Sequence, residues 1–591
     1  MTFFSMSQLF RSWQPIYNPI GFGATDFIVL AWAGLLVVSL VAMVRWGPAA
    51  CNFARRTRWS MLALALLPIV LRLLLLPTAP VPAPRTPDDF SYALLGDTLA
   101  HLRLANPPHP MRRFFETNFV LQEPAYSSIY PLGQGIALAF GQLVIGRQWA
   151  GVILCAGAFC GLCYWMLRAW ATPGWALLGG LLSVFEFGPL QYWMNTYWGG
   201  SLAAAGGCLI FGSLPRLRDS GRSRDAALLG LGLAVESLTR PFETLLIVLC
   251  VAVFLIPALR GQWRSLARIA AIAALVTLPA IALELLQNRQ VTGRWTTLPY
   301  MLSQYQYGVP TSFTLQPVPA PHHPLTEEQK TNYDLQSSVH GNSSDSFSAF
   351  LDRLGKRARF YRFFFPVPLL LALPAFLPAL GQFRFLWVAL SLAILGFGTN
   401  FYPYFYPHYI AGGACLFVLV SVTALERVHR WSREAARLIV SLLAAQFLFW
   451  YGLHCLAWWA PAWALTDQYE SWDYVNHGDP EGRIAIDRRL AQATGKQLVF
   501  VHYTPRHPLD QWVWNAADID HSRIIRALDL GPEENDKLRH YYPDRTVWLL
   551  EPDARPPRLE LYPEPEKPAA APSPAVKNNS PFEEVPGPPA P

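Results

Sequence analysis

The sequence predicts an all-α polytopic membrane protein of about twelve transmembrane helices, with a small extracytoplasmic α/β domain near its C-terminal end. Three observations carry that prediction. Hydrophobic residues make up 52% of the 591 positions and charged residues only 15%, too apolar and charge-poor for an ordinary soluble chain. Apolar runs of the roughly 20 residues that a helix needs to cross the hydrocarbon core recur along the chain. Arginines gather in four short loops, 45–58, 216–224, 260–268 and 427–437, as expected of loops retained on the cytoplasmic side.

Placing those four loops inside predicts spans near 24–44, 60–77, 149–168, 174–192, 198–215, 226–239, 242–259, 267–288, 363–382, 385–402, 407–425 and 437–459, with both termini outside. The first run lacks a small-residue cleavage site and reads as a retained span. Segment 131–147 is apolar but interrupted by Gly133, Gly135, Gly141 and Gly146; parity argues against a full span, leaving an interfacial or re-entrant segment. The run at 226–239 is short and is separated from its successor by Arg240 and Pro241.

Three polar regions then face outward: loops 78–130 and 289–362, and everything after about 460. Within the last, strand-like runs at 497–503, 511–514 and 546–550 surround a helix predicted at 532–541, so 461–551 reads as a small α/β domain. From 552 to 591, Pro, Ala and Glu dominate and too little apolar matter remains to fold, which predicts a disordered tail. The remaining divisions are an N-terminal segment, 1–59, with one additional span, and a transmembrane core, 60–460.

All eight cysteines fall in or beside apolar segments, which argues against disulfides and Cys-based zinc sites. The net charge of +7 sits in short inter-span loops, where orientation explains it better than a nucleic-acid partner does.

Polar chemistry collects at outer span ends. The loop after the second span begins Pro87-Asp88-Asp89-Phe90-Ser91-Tyr92, continues through Asp97 and Glu116, and ends Tyr130-Pro131-Leu132-Gly133. Two adjacent carboxylates there can accept a proton, hold a metal, or simply open a helix, since acidic residues suit a first turn behind proline. Asn195 and Tyr197 belong to a second cluster, 191–200, rich in the Trp and Tyr of an interfacial belt but carrying paired glycines as well. In the third, Glu236 and Arg240 are four apart, as if paired on one helix face, before Pro241 and Glu243. The fourth, 401–409, packs Tyr406 and His408 among other aromatics. In this topology the ionisable residues at span ends lie toward the outer leaflet, which implies a cavity open to the outside rather than a conduit.

At these residues the chain resembles the GT-C superfamily of polytopic glycosyltransferases, which includes protein O-mannosyltransferases and aminoarabinose transferases, over roughly 60–460. The acidic pair, the Tyr-Pro-x-Gly segment at 130–133 and Thr239-Arg240-Pro241 carry the resemblance by their order and sidedness. It implies a GT-C-like core that moves a hexosyl or pentosyl group from a polyprenyl-phosphate donor in the membrane lipid to an acceptor glycan, lipid or protein at the periplasmic face of a bacterial inner membrane. Asp88 or Asp89 would then be catalytic; Arg240, with His408, Tyr130 and Tyr406, would hold the lipid phosphate. Asp97, Glu116, Asn195, Tyr197, Glu236 and Glu243 would line the acceptor side or the pocket. No cofactor follows from the sequence: no spaced metal-ligand motif is present, although Asp97 and Glu116 are the residues that would join an aspartate around a divalent cation. The competing classes are a polytopic transporter or lipid-binding scaffold, and an envelope glycan ligase or polymerase acting on another lipid phosphate.

Overall fold

The computed structural model describes residues 24–258, 260–341, 345–457, 482–505, 507 and 509–563. Apolar helices dominate it. In chain order they begin with α1 (Ala24–Ala54) and α2 (Thr57–Leu74), followed by the outer helix α3 (Pro87–Ala100). Next come α4 (Leu132–Ile145), α5 (Gln148–Leu167), α6 (Pro173–Phe187), α7 (Ser201–Ser220), α8 (Ser223–Thr239), α9 (Pro241–Ala258) and α10 (Trp263–Thr292). Six helices of the described residues are long and apolar enough to cross a membrane, and a seventh span results if the bent pair Leu373–Gly381 and Phe383–Thr399 is one. Leucines and valines of α1, α2 and α10 are exposed on the outside of the bundle, as a lipid-facing surface requires.

Segment 363–382 is apolar enough for the predicted span but is not an α-helix. It runs as 3-10 turns, Arg362–Phe364, Val367–Leu371 and Leu373–Gly381. Pro366, Pro368, Pro374 and Pro378 each remove an amide donor and obstruct the carbonyl four residues back, so the α pattern cannot propagate. The turns meet the next helix at 119°. Segment 131–147 holds only the 14-residue α4, which leaves Ile136, Phe140, Leu143, Val144 and Ile145 exposed. Its other face lies hard against α5: a Cβ on Gly151 would fall 1.9 Å from the Ala137 carbonyl, so only glycine permits that crossing.

Outside the bundle, α11 (Pro299–Tyr307), α12 (Glu327–His340) and α13 (Phe347–Tyr361) occupy the second outer loop; the bundle is completed by α14 (Phe383–Thr399), α15 (Ala414–Trp431) and α16 (Arg433–Cys455). The C-terminal part contains α17 (Arg483–Gln492), α18 (Pro532–Tyr541) and a sheet. Numbered after the two-residue pair β1 (Val120–Leu121) and β2 (Ser127–Ser128), its strands are β3 (Lys496–Val501), β4 (Ile524–Leu528), β5 (Arg545–Glu551) and β6 (Arg558–Leu561), in the spatial order β4-β3-β5-β6. β3 runs parallel to β4 and β5, and β6 closes the edge antiparallel.

Residues 511–514 form no strand, because their backbone bonds elsewhere. The Gln511 N–H donates to the Arg85 carbonyl at 3.3 Å, and those of Trp512 and Val513 donate to the Tyr503 hydroxyl. Strand β4 was not anticipated, and β6 extends ordered structure past 552, where the tail was expected to begin; the rest of that tail, 564–591, lies outside the described residues. Ile486, Leu490, Val499, Val501, Leu528, Leu550 and Leu559 pack into an apolar cluster drawn from the C-terminal part alone. Phe114, Phe115, Val120 and Tyr126 of the first outer loop share one apolar cluster with Leu498, Phe500, Ile525 and Leu538, so burial of either set requires the other.

Candidate functional site

Helix α3 opens on a capping box. The Thr86 hydroxyl accepts the Asp89 N–H, the Asp89 carboxylate accepts the Thr86 N–H, and Pro87 sits at the first helical position, a combination that fixes where the helix starts. The bland reading of the acidic pair is therefore correct for Asp89. Its Oδ2 also accepts from Arg85 N–H and the Thr86 hydroxyl at 3.2 and 3.0 Å, and its Oδ1 accepts the Tyr197 N–H at 2.8 Å. These four hydrogen bonds tie Asp89 to the start of α3 and to the backbone at Tyr197.

Asp88, one residue earlier, is only half-buried. Its Oδ1 accepts a short hydrogen bond from the Tyr130 hydroxyl. Partial removal from water pushes its carboxyl up to about 6, against the opposing hydrogen bond from Tyr130 and the more distant charge of Arg240, an ordinary consequence of desolvation. Tyr130 is itself positioned by a stack on Tyr92 at 4.2 Å between ring centres. Tyr92 lies four residues after Asp88, on the same helical face.

Arg240 sits at the break between α8 and α9. Its backbone leaves the helical region at φ −141°, ψ 73°, and Pro241 restarts the chain. The expected pair with Glu236 is not made, because the non-helical turn swings the side chain away. The guanidinium lies 4.8 Å over the Tyr409 ring with Tyr92, Tyr402 and Glu243 nearby, and it makes neither hydrogen bond nor ion pair among the described residues. It lines a narrow cleft of about 290 Å³, counting its open mouth, together with Tyr92, Gln134, Trp198, Leu202 and Thr239. The segment after Tyr130 is locked to this break: a Cβ on Gly133 would fall 2.4 Å from Thr239 Cγ2.

The other expected residues divide. Tyr406 packs edge-on to Trp198 at 5.6 Å and is close enough to Asp88 to feel its charge. His408 is buried behind Trp198, its ring against the Tyr192 hydroxyl at 3.2 Å, and is not a wall of the cleft. Glu236 is buried at the glycine-rich crossing of α7 with residues 407–413, where a Cβ on Gly412 would approach its Oε1 to 2.5 Å.

Four residues expected at the pocket hold the scaffold instead. Asp97 accepts the Ala517 N–H at 2.8 Å and Gln142 Nε2 at 2.9 Å, tying α3 to the C-terminal part. Glu116 accepts from Gln329 of α12 at 3.2 Å. Asn195 accepts Arg72 Nε at 2.6 Å, while Arg72 also donates to the Ala79 and Pro80 carbonyls. Tyr197 donates its hydroxyl to the Pro82 carbonyl at 3.1 Å. Asp97 and Glu116 thus keep separate company, and no group of three or more His, Cys, Asp or Glu suited to a metal ion occurs among the described residues. Tyr92, Gln134, Trp198 and Tyr409 lie in segments that the sequence singled out, but only the structure sets them around Arg240. Tyr92 carried a further signal, its i, i+4 relation to Asp88.

No protein-family model matches the sequence, and no curated protein matches it. Among solved structures, the fold is similar to ArnT from Cupriavidus metallidurans in the apo state, at 12% identity and a TM-score of 0.46, covering 84% of this chain and 93% of that one. It is similar also to the same protein bound to undecaprenyl phosphate, at 12% identity and a TM-score of 0.43 over 90% and 93% of the two chains. The Archaeoglobus fulgidus oligosaccharyltransferase in the apo form follows, at 12% identity and a TM-score of 0.36 over 76% of this chain and 62% of that one. These are likenesses in the course of the chain; the site residues are placed by this protein's own geometry.

Proposed function

We propose that the protein is a membrane glycosyltransferase of the GT-C kind. It would move a hexosyl or pentosyl group from a polyprenyl-phosphate donor to an acceptor hydroxyl at the periplasmic face of a bacterial inner membrane. The observation that carries the reading is a carboxylate, Asp88 held by Tyr130, within electrostatic reach of Arg240 at the break of two apolar helices. Among the described residues the guanidinium makes no hydrogen bond or ion pair and is held by the Tyr409 ring and the charge of nearby Glu243, which leaves its donors available to an anion. A lipid phosphate reaching the cleft from the bilayer supplies that anion.

In the proposed reaction the acceptor oxygen attacks the anomeric carbon as Asp88 takes its proton. The new bond to that carbon forms as the bond to the phosphate oxygen breaks, and the charge gathering on the phosphate is met by Arg240. With its carboxyl near 6, Asp88 is mostly ionised at neutral pH and able to accept the proton. The reading includes about twelve spans, with the arginine loops inside and α3, the cleft and the C-terminal sheet outside. It needs no resident metal.

The test follows radiolabelled sugar leaving a panel of polyprenyl-phosphate donors in the presence of a crude envelope acceptor. The native protein should transfer label, and Asp88→Asn and Arg240→Ala should each lose about a hundredfold or more, the usual consequence of removing a base or a charge-stabilising donor. Near-native transfer by Arg240→Ala would remove the phosphate site. Label that crosses the bilayer still attached to its lipid would favour a transporter.

A further inference from the structure

Gln134 is buried at the start of α4 and lines the same cleft as Arg240. Its Nε2 donates to the Tyr197 carbonyl at 2.8 Å. A carbonyl only accepts, so this bond fixes which edge of the carboxamide faces Tyr197 and turns Oε1 the other way. Oε1 finds no donor among the described residues and is not sealed from solvent, and Gln134 is one of the residues that line the cleft. The wall of the cleft therefore carries two groups of opposite demand with hydrogen-bonding capacity that no described residue fills: a cation suited to an anion and a neutral acceptor suited to a donor.

Bare polyprenyl phosphate satisfies only the first. At neutral pH its phosphate is an acceptor of hydrogen bonds with little or nothing to donate, and Gln134 Oε1 would face it with no gain. A glycosyl phosphate satisfies both, because a sugar hydroxyl adjoins the phosphate. Resting on the function proposed above, we infer that Gln134 is a specificity-determining residue that reads a hydroxyl of the donor sugar. By doing so it separates glycosylated donor from spent lipid phosphate, favouring capture of the one and release of the other. Tyr92 and Trp198, aromatic residues of the same cleft, suit the apolar face of a sugar ring.

The experiment uses the full-length protein and Gln134→Met, which keeps the side-chain length and removes both polar groups. Probes are a polyprenyl-phosphate hexose that the native protein uses, its deoxy analogues lacking one hydroxyl each, and bare polyprenyl phosphate as product inhibitor. Gln134→Met should lower kcat/KM for the parent donor about tenfold, in the range of one hydrogen bond whose loss strands a buried partner. The native protein should show a similar loss with one deoxy donor, and the variant should show no further loss with that donor. Inhibition by bare polyprenyl phosphate should change less than threefold, since Arg240 is untouched.

A variant that still discriminates the deoxy donor, or that weakens donor and product alike, would overturn the role of Gln134 and reduce it to a support for Tyr197. Failure of the native protein itself to transfer from any lipid-linked sugar would instead overturn the proposed function, and this inference with it.

Discussion

Tyr130→Phe isolates one atom of the site. The ring stack on Tyr92 and the edge contact with Phe119 at 6.2 Å between ring centres involve the ring alone, so phenylalanine keeps the packing and loses only the hydroxyl that donates to Asp88. That bond favours the charged carboxylate and opposes the upward pull of burial. A hydrogen bond to a charged group contributes ~1.5–3 kcal/mol, and one pH unit corresponds to ~1.36 kcal/mol. Without it the Asp88 carboxyl should rise from about 6 by roughly one to two further units. The ionised fraction at pH 7 then falls from about nine-tenths to between about a half and a tenth.

Transfer measured at saturating donor from pH 5 to 9.5 should show an acid limb displaced upward in Tyr130→Phe, a loss of about two- to ninefold at pH 7, and recovery near pH 9. An acid limb that stays in place, or moves down, would refute the assignment of Asp88 as the proton acceptor.

The same burial has a stability sign. A carboxyl raised in the folded state takes up protons on folding between about pH 4 and 6, so stability falls as pH rises through that window and the cost persists above it. Asp88→Asn should therefore raise the thermal midpoint at pH 7.5, the full gap from 3.8 to about 6 being worth at most ~3 kcal/mol, and should leave it unchanged near pH 4.

The remaining expectations concern neighbours of that carboxylate. Asp89→Asn places an amide donor among the N–H groups of Arg85, Thr86 and Tyr197; the thermal midpoint should drop by the equivalent of ~2–4 kcal/mol, and an unchanged midpoint would refute the structural role given to this residue. Gly133→Ala drives a Cβ against Thr239 Cγ2, so transfer should fall more than tenfold, with ~1–3 kcal/mol of overpacking strain. Adding Thr239→Ser, which removes that methyl, should recover part of the activity, and no recovery would break the link drawn between Tyr130 and Arg240.

Much of the outer architecture was legible because its signals are local. Helix α18 runs from Pro532 to Tyr541, the limits that its proline start and polar periodicity imply. The opening of α3 follows from Thr86, Pro87 and Asp89 within four residues. Strand β4 was missed because Ile524–Leu528 includes Arg526 and is too short for alternation to declare itself; its identity comes from pairing with β3. Residues 511–514 have strand composition, but their amides are taken by Tyr503 and Arg85, a competition that no local pattern records.

The sequence by itself determined that the chain belongs in a membrane and that its polar groups gather in a few segments between apolar runs. Transfer of apolar side chains into hydrocarbon depends on composition over one turn after another, and composition is written in order along the chain. Only the tertiary structure decided the partners of the two adjacent aspartates. That choice depends on the Tyr197 amide, 108 residues away, and on the Tyr130 hydroxyl, 42 residues away. It likewise decided that Arg240 lies over the Tyr409 ring in the cleft with Gln134 rather than paired with Glu236, because contacts across the chain choose the partners of buried polar groups.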